Sequence, residues 1–165
     1  MNGHAVRARP GSRAPRTTSK QRLRLWLRLL RAVRAMEGAL RKRLRVRFRM
    51  TLPQFDVLAA LSRSDAGMTM TELSRLLIVS NGNVTGIIER LTAAGLVSRQ
   101  AAASDRRAVH VCLTRRGADR FGEMAEVHEA WVDELLSELT RTDTEMLIAH
   151  LDGLAGRIRE GGRRA

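Results

Sequence analysis

The stretch TELSRLLIVSNGNVTGIIERLTAAGLVSRQ, residues 71–100, decides the fold. TELSRLL reads as a short helix, Ile78-Val79-Ser80 as a turn, SNGNVTGIIERL as a second helix, and LVSRQ as a strand. Thr69 and Glu72 stand at capping-box spacing, so each side chain satisfies a backbone N–H that the first helical turn leaves free. Ser80 is the expected N-cap of the second helix. In that helix Val84, Ile87, Ile88 and Leu91 form one apolar face, and Asn81, Asn83, Thr85, Glu89 and Arg90 lie off it. Gly95 ends the helix at the C′ position, where a positive φ is needed. The unit is a helix-turn-helix running into the first strand of a β-wing. Its small hydrogen-bonding side chains cluster near the start of the second helix, where a helix lying in a major groove meets base edges.

Working outward, Thr51 and Gln54 form a second capping box, with Pro53 in the first turn where its missing N–H costs nothing. The helix it opens, QFDVLAALSRS, buries Phe55, Leu58 and Leu61 and is broken by Asp65-Ala66-Gly67. Upstream, Trp26, Leu30, Val33, Leu40 and Leu44 recur at helical spacing and predict a long first helix from about Gln21 to Phe48. Downstream, LVSRQ and AVHVCLT read as a hairpin whose exposed tip is AAASDRR. Thr114 caps a helix predicted to reach Leu139, with Phe121, Met124, Trp131, Leu135 and Leu139 on one stripe. A capping box at Thr142 and Glu145 is expected to open a last helix through Arg159, with Leu147, Leu151, Leu154 and Ile158 as its stripe. The expectation is a mainly α chain of six helices with one small β-hairpin wing.

The charge is unevenly placed. The chain of 165 residues carries a net +13, yet residues 1–50 hold sixteen Lys and Arg against the single acid Glu37, and the remainder is slightly acidic. A segment so basic suits a polyanion: nucleic acid, an anionic membrane or a phosphorylated ligand. A compositional bias towards arginine accounts for it equally well. Residues 1–19, with Pro10, Gly11 and Pro15, read as a disordered basic arm. That arm lacks the apolar centre of a secretory signal, and no apolar run approaches the roughly 18 residues of a membrane span. One cysteine, Cys112, excludes an internal disulfide and fits a reducing compartment, so a cytoplasmic protein is expected.

TLPQFDVLAAL ahead of the motif, VSNGNVTGIIERLTAAGLVSR through it, and Asp105, Arg107, Leu113 and Thr114 in the wing together resemble the MarR family of winged-helix transcription regulators over about residues 21–160. The resemblance implies a homodimer whose first and last helices interdigitate, a palindromic operator in double-stranded DNA, and release by a small, often aromatic ligand. It divides the chain into the arm at 1–19, a first dimerisation helix at 20–50, a winged helix-turn-helix lobe at 51–114 and C-terminal dimerisation helices at 115–165. Under it Asn81, Asn83 and Thr85 face the major groove, with Ser80 and Arg90 beside them. Arg107 enters or flanks the minor groove, Arg99 and Arg106 contact phosphates, and Asp105 orients the wing by pairing with an arginine. The ligand pocket is implied at Trp26, Leu30, Arg34, Phe55, His128 and Trp131. With no tyrosine in the chain, arginine is the obvious anchor, which points to an anionic aromatic ligand or its coenzyme A thioester.

Blander readings stand beside these. Asn81 and Asn83 have a lesser alternative as caps that merely solvate the helix start, a charged hairpin tip is most often only solvated, and the arginine anchor serves DNA or solubility as readily as an anionic ligand. Cys112, in a wing strand, reads as a packed, inert thiol, and His128 as a satisfied core or interface histidine. His4, His110, His128 and His150 share no metal-ligand spacing, and no phosphate-binding loop, nucleophile elbow or carboxylate pair suggests an enzyme, so neither metal nor cofactor is expected. The competing class is a sequence-tolerant architectural DNA-binding protein that uses the arm and wing.

Overall fold

The computed structural model describes residues 16–77, 81–101 and 109–161. Six helices and three short strands occupy them: α1 Arg16–Phe48, α2 Leu52–Leu61, β1 Met68–Thr69, α3 Met70–Leu77, α4 Asn81–Ala93, β2 Val97–Ala101, β3 Val109–Leu113, α5 Arg115–Leu135 and α6 Arg141–Gly161. None of these helices is long and apolar enough to cross a membrane.

The chain divides into two compact units, Met1–Ala39 and Leu40–Ala165, with α1 running through the division. In the first unit α1 exposes Leu23, Leu25, Trp26, Leu27 and Val33. The helix starts at Arg16, earlier than expected, so residues 16–19 are helical and not part of an arm. Thr17, Thr18 and Ser19 are weak helix formers, which hid this turn from a propensity reading. Pro15 immediately precedes the first helical residue, and proline disfavours helix in the residue before itself.

The core of the second unit is made by Leu44, Val57, Leu58, Leu73, Val84, Ile88, Leu91, Val111 and Met124, each fully or almost fully buried. Burial of one such side chain stabilises by about 1.5–3 kcal/mol. α2 lies at the centre, packed against α3, α4, α5 and β3. Its capping box forms as read: the Gln54 N–H donates to Thr51 Oγ1, and the Thr51 N–H donates to Gln54 Oε1 at 2.9 Å. α1 ends with the Arg49 N–H donating to the Arg45 carbonyl, and Arg49 takes a φ of +54°, a left-handed conformation that costs a side-chain-bearing residue about 1–2 kcal/mol.

The wing is a three-stranded antiparallel sheet in the order β1-β3-β2, not the two-stranded hairpin expected. β1 adds Met68 opposite Val111 and Thr69 opposite His110. A two-residue strand has no periodicity to read, because its partner defines it. The hairpin register runs from Val97 opposite Leu113 to Ala101 opposite Val109.

α4 closes in a Schellman motif, the Gly95 N–H donating to the Thr92 carbonyl at 2.9 Å and the Leu96 N–H to the Leu91 carbonyl at 3.0 Å, with Gly95 at φ +69°. Thr114 then ties three elements together. It is the N-cap of α5, accepting from the Gly117 N–H at 2.9 Å, and its hydroxyl donates to the Gly95 carbonyl at 2.7 Å. Thr114→Val, which keeps the shape and deletes the hydroxyl, should cost about 1–2 kcal/mol. Urea titration reads it as a lower midpoint at unchanged slope. A midpoint equal to wild type would show that the joint holds nothing.

Two expected boundaries move. α5 stops at Leu135, not Leu139, because Leu136 turns to a φ of −109° and the chain closes through 3₁₀-like bonds, Ser137 N–H to Glu134 and Leu139 N–H to Leu136. The cap of α6 is then Thr140 with Asp143, whose carboxylate accepts from the Thr140 N–H at 3.2 Å, and not Thr142 with Glu145. Glu145 lies inside the helix and pairs with Arg141 at 2.8 Å. α6 buries no residue in the described chain, leaving Leu147, Leu151, Leu154 and Ile158 exposed on one stripe.

Candidate nucleic-acid interface

The capping box of the motif's first helix forms as read. The Glu72 carboxylate accepts from the Thr69 N–H at 2.8 Å and from the Thr69 hydroxyl, while Thr69 Oγ1 accepts from the Glu72 N–H at 3.2 Å. The backbone and hydroxyl bonds from Thr69 hold the Glu72 carboxyl below its ordinary pKa. α3 is thereby fixed where the chain leaves β1. Residues 78–80, including Ser80, lie outside the described residues.

α4 is seated by its buried face. Val84, Ile87, Ile88 and Leu91 are at most 3 % exposed, which leaves Asn83, Thr85, Glu89 and Arg90 outside. Asn81 is the first residue of the helix. A Cβ built on Gly86 would lie 3.7 Å from the Arg90 guanidinium, so that arginine lies back along the helix beside the glycine.

Arg99 is exposed on β2, opposite Val111. The fold brings it to Thr85: with Met70, Gln100, Val109 and Val111, the two line a cleft of about 480 Å³ between the motif helices and the sheet. Asp105, Arg106 and Arg107 at the wing tip lie outside the described residues. The central strand β3 is tied to the turn ahead of β1 by the His110 Nδ1–H, donated to the Ala66 carbonyl at 3.0 Å. Cys112 is half-buried there, its thiol 3.8 Å from the same carbonyl and its Sγ against the face of Gly67 that a Cβ would fill. That placement agrees with a packed thiol.

Of the residues expected at a ligand pocket, the structure joins Phe55 and His128, stacked at 4.6 Å between centroids and 22° between planes. Phe121 also packs against Phe55, with 5.6 Å between ring centroids and the planes tilted by 39°. Burial pushes the His128 imidazole below its ordinary pKa, so it is neutral near pH 7. Trp131 instead meets Phe48 at 6.0 Å and the Arg43 guanidinium at 5.9 Å. Trp26, Leu30 and Arg34 belong to the compact unit of residues 1–39. The reading missed Arg43 and Glu134, joined by two hydrogen bonds of 2.7 and 2.8 Å that tie α1 to α5 across 91 residues of sequence. The pair raises the Arg43 pKa and lowers that of Glu134. Nothing local in the sequence signals such a pair.

A helix-turn-helix whose second helix shows small polar side chains to solvent, followed by a three-stranded sheet with an arginine beside that helix, defines a winged-helix protein of the DNA-binding class. Comparison with known proteins narrows the class. The sequence model of the MarR family matches residues 50–108. The multiple antibiotic resistance protein MarR of Escherichia coli is 33 % identical over 109 residues, which cover 66 % of this chain and 73 % of that protein. With the transcriptional regulator PecS of Dickeya dadantii the identity is 27 %, and the match spans 66 % of its length. The crystal structure of AbsC, a MarR family transcriptional regulator from Streptomyces coelicolor, superposes with a TM-score of 0.74 at 27 % identity, covering 90 % of this chain and 99 % of AbsC. BpsR of Bordetella bronchiseptica, whose DNA binding is regulated by 6-hydroxynicotinic acid, superposes at 0.67 with 25 % identity over 77 % of this chain and 89 % of its own. The chain belongs to the MarR family and is a transcriptional regulator.

Proposed function

We propose that the protein is a homodimer that binds a palindromic operator in double-stranded DNA, represses from it, and is released by a small anionic aromatic ligand or its coenzyme A thioester. The observation that carries the reading is α4. Its apolar face is locked into the core, so Asn83, Thr85 and Arg90 are held outward on a rigid element, as direct base readout requires. Asn81 begins the same helix, and Ser80, Arg99, Arg106 and Arg107 extend the contact, the arginines as phosphate and minor-groove ligands, with Asp105 orienting the tip.

The dimer reading rests on the exposed stripes of α1 and α6, at opposite ends of the chain, which a two-fold axis would bury together. Two such lobes set their recognition helices about one DNA turn apart, which a palindrome matches. The domain scheme follows: a basic arm ahead of the first dimerisation helix, the lobe at 51–114, and dimerisation helices after it. The effector reading rests on the neutral His128 stacked on Phe55 and on the arginines of α1, Arg34 foremost, with Trp26, Leu30 and Trp131 as further candidates. BpsR answers to an anionic heteroaromatic acid, which is the same ligand chemistry.

Asn83→Ala tests the base-readout assignment. A neutral side chain releases no counterion, so the slope of log K against log salt should stay unchanged while the operator loses about 1–3 kcal/mol of its advantage over scrambled duplex. Gel shifts on both DNAs at several salt concentrations read the two quantities. Equal loss on both DNAs would move base readout away from α4 and favour the sequence-tolerant architectural alternative.

A further inference from the structure

We propose that a groove between the end of α1, the end of α4 and the first turns of α5 binds a small organic phosphate of the nucleotide class. The groove measures about 780 Å³, within the range of small-molecule sites. Four arginines line it, Arg49, Arg115, Arg116 and Arg120, against two carboxylates, Asp119 and Glu123. Arg120 is already engaged, 2.9 Å from Glu123 and stacked over the Phe48 ring. The side chains of Arg49, Arg115 and Arg116 make no hydrogen bond or ion pair to any described residue. Three like charges gathered without a partner repel one another, and a bound polyanion would relieve that repulsion.

Two further features fit the same ligand. Arg49 holds a left-handed backbone that glycine would adopt freely, so an arginine there retains its side chain against the local preference. The floor is apolar, from Phe48, Met50, Leu91 and Leu96, and Asp119 on the rim is an acceptor for hydroxyl groups. An apolar face, a cationic cluster and a free carboxylate match a flat base, a phosphate and a sugar in one small molecule.

Duplex DNA fits the groove less well. It opens at Ala94 and Leu96, the far end of α4 from Asn83, about 16 Å along the helix, and at the base of the wing rather than its tip. Carboxylates on its rim would oppose a continuous phosphate backbone.

Ligand binding at this groove is independent of the operator and is measured on the intact 165-residue chain without DNA. Titration calorimetry at about 0.15 M salt, where loose surface attraction is screened, compares ATP, AMP, adenosine and inorganic phosphate. ATP and AMP should each bind saturably, one per chain, and adenosine should not. Arg49→Ala and Arg116→Ala, both at exposed side chains, should each weaken AMP by about tenfold. Arg63→Ala, at an exposed arginine outside the groove, should leave it unchanged. Inorganic phosphate binding as tightly as AMP, AMP binding that survives both groove variants, or no binding at all would each overturn the proposal. A parallel gel shift supplies the last outcome: loss of duplex affinity in these variants without any AMP binding would make the groove a DNA backbone contact.

Discussion

Gly117→Ala should destabilise the protein by about 3 kcal/mol or more, in spite of replacing a helical glycine with the best helix former. Propensity alone predicts the opposite sign, a gain of about 1 kcal/mol. The structure reverses it because Gly117 is buried in the first turn of α5, directly against the backbone of Leu96. A Cβ there would run into the Leu96 carbonyl oxygen and stand 2.8 Å from its carbonyl carbon and 3.2 Å from its Cα. These are backbone atoms, and none of them can swing aside as a flexible side chain would. Leu96 is moreover pinned: its N–H closes the Schellman motif of α4, and its carbonyl accepts from the Thr114 N–H at 3.1 Å. Relief would require α5 to lift from the base of the wing, breaking the Thr114 bonds to Gly95 and Gly117 together. For a domain of this size the loss corresponds to a drop in Tm of about 10 °C. A melting point at or above wild type would show that the first turn of α5 relaxes without cost.

The same joint shows what is legible in a sequence and what is not. Gly95 was readable, because a glycine directly after an apolar-periodic helix has one common use, and its φ of +69° fulfils it. The capping boxes at Thr51 and Thr69 were readable for the same reason: each is a contact across three residues whose partners stand side by side in the chain. Gly117 carried no such sign, since the atoms that exclude a Cβ belong to a residue twenty-one positions earlier. β1 failed in the same manner, its two residues becoming a strand only through β3. At the last helix two overlapping boxes competed, Thr140 with Asp143 and Thr142 with Glu145. The turn that closes α5 at residues 136–139 decided between them by leaving Thr140 as the first residue free to cap. In the interface, the outward face of α4 followed from its 3.6-residue period, whereas its meeting with Arg99 across a shared cleft depended on the sheet. The Phe55–His128 stack and the Arg43–Glu134 tie are likewise tertiary events.

Leu151→Glu should reduce operator binding to that of an isolated half-site without unfolding the lobe that carries α4. Leu151 is 50 % exposed in the single chain and sits between Leu147 and Leu154 on the stripe of α6. A 21-residue helix that buries nothing and displays a row of leucines gains little from its own chain, so its apolar face is held by a partner under the dimer reading. Because a two-fold interface contains every residue twice, one substitution removes two leucines and introduces two carboxylates. Losing the burial alone costs about 2 kcal/mol per copy, and together the two copies weaken dimerisation by about a thousandfold or more. Each unpaired carboxylate adds its own desolvation cost. Sedimentation should report a dimer for the wild type and a monomer for the variant at micromolar concentration. A monomer engages one half-site and forfeits the gain in effective concentration from the second, so the palindrome should bind no better than an isolated half-site. Thermal unfolding of the lobe should stay cooperative, since Leu151 contributes to no described core contact. A Leu151→Glu protein that remained dimeric would place the two-fold axis away from α6, and the stripe would need another partner.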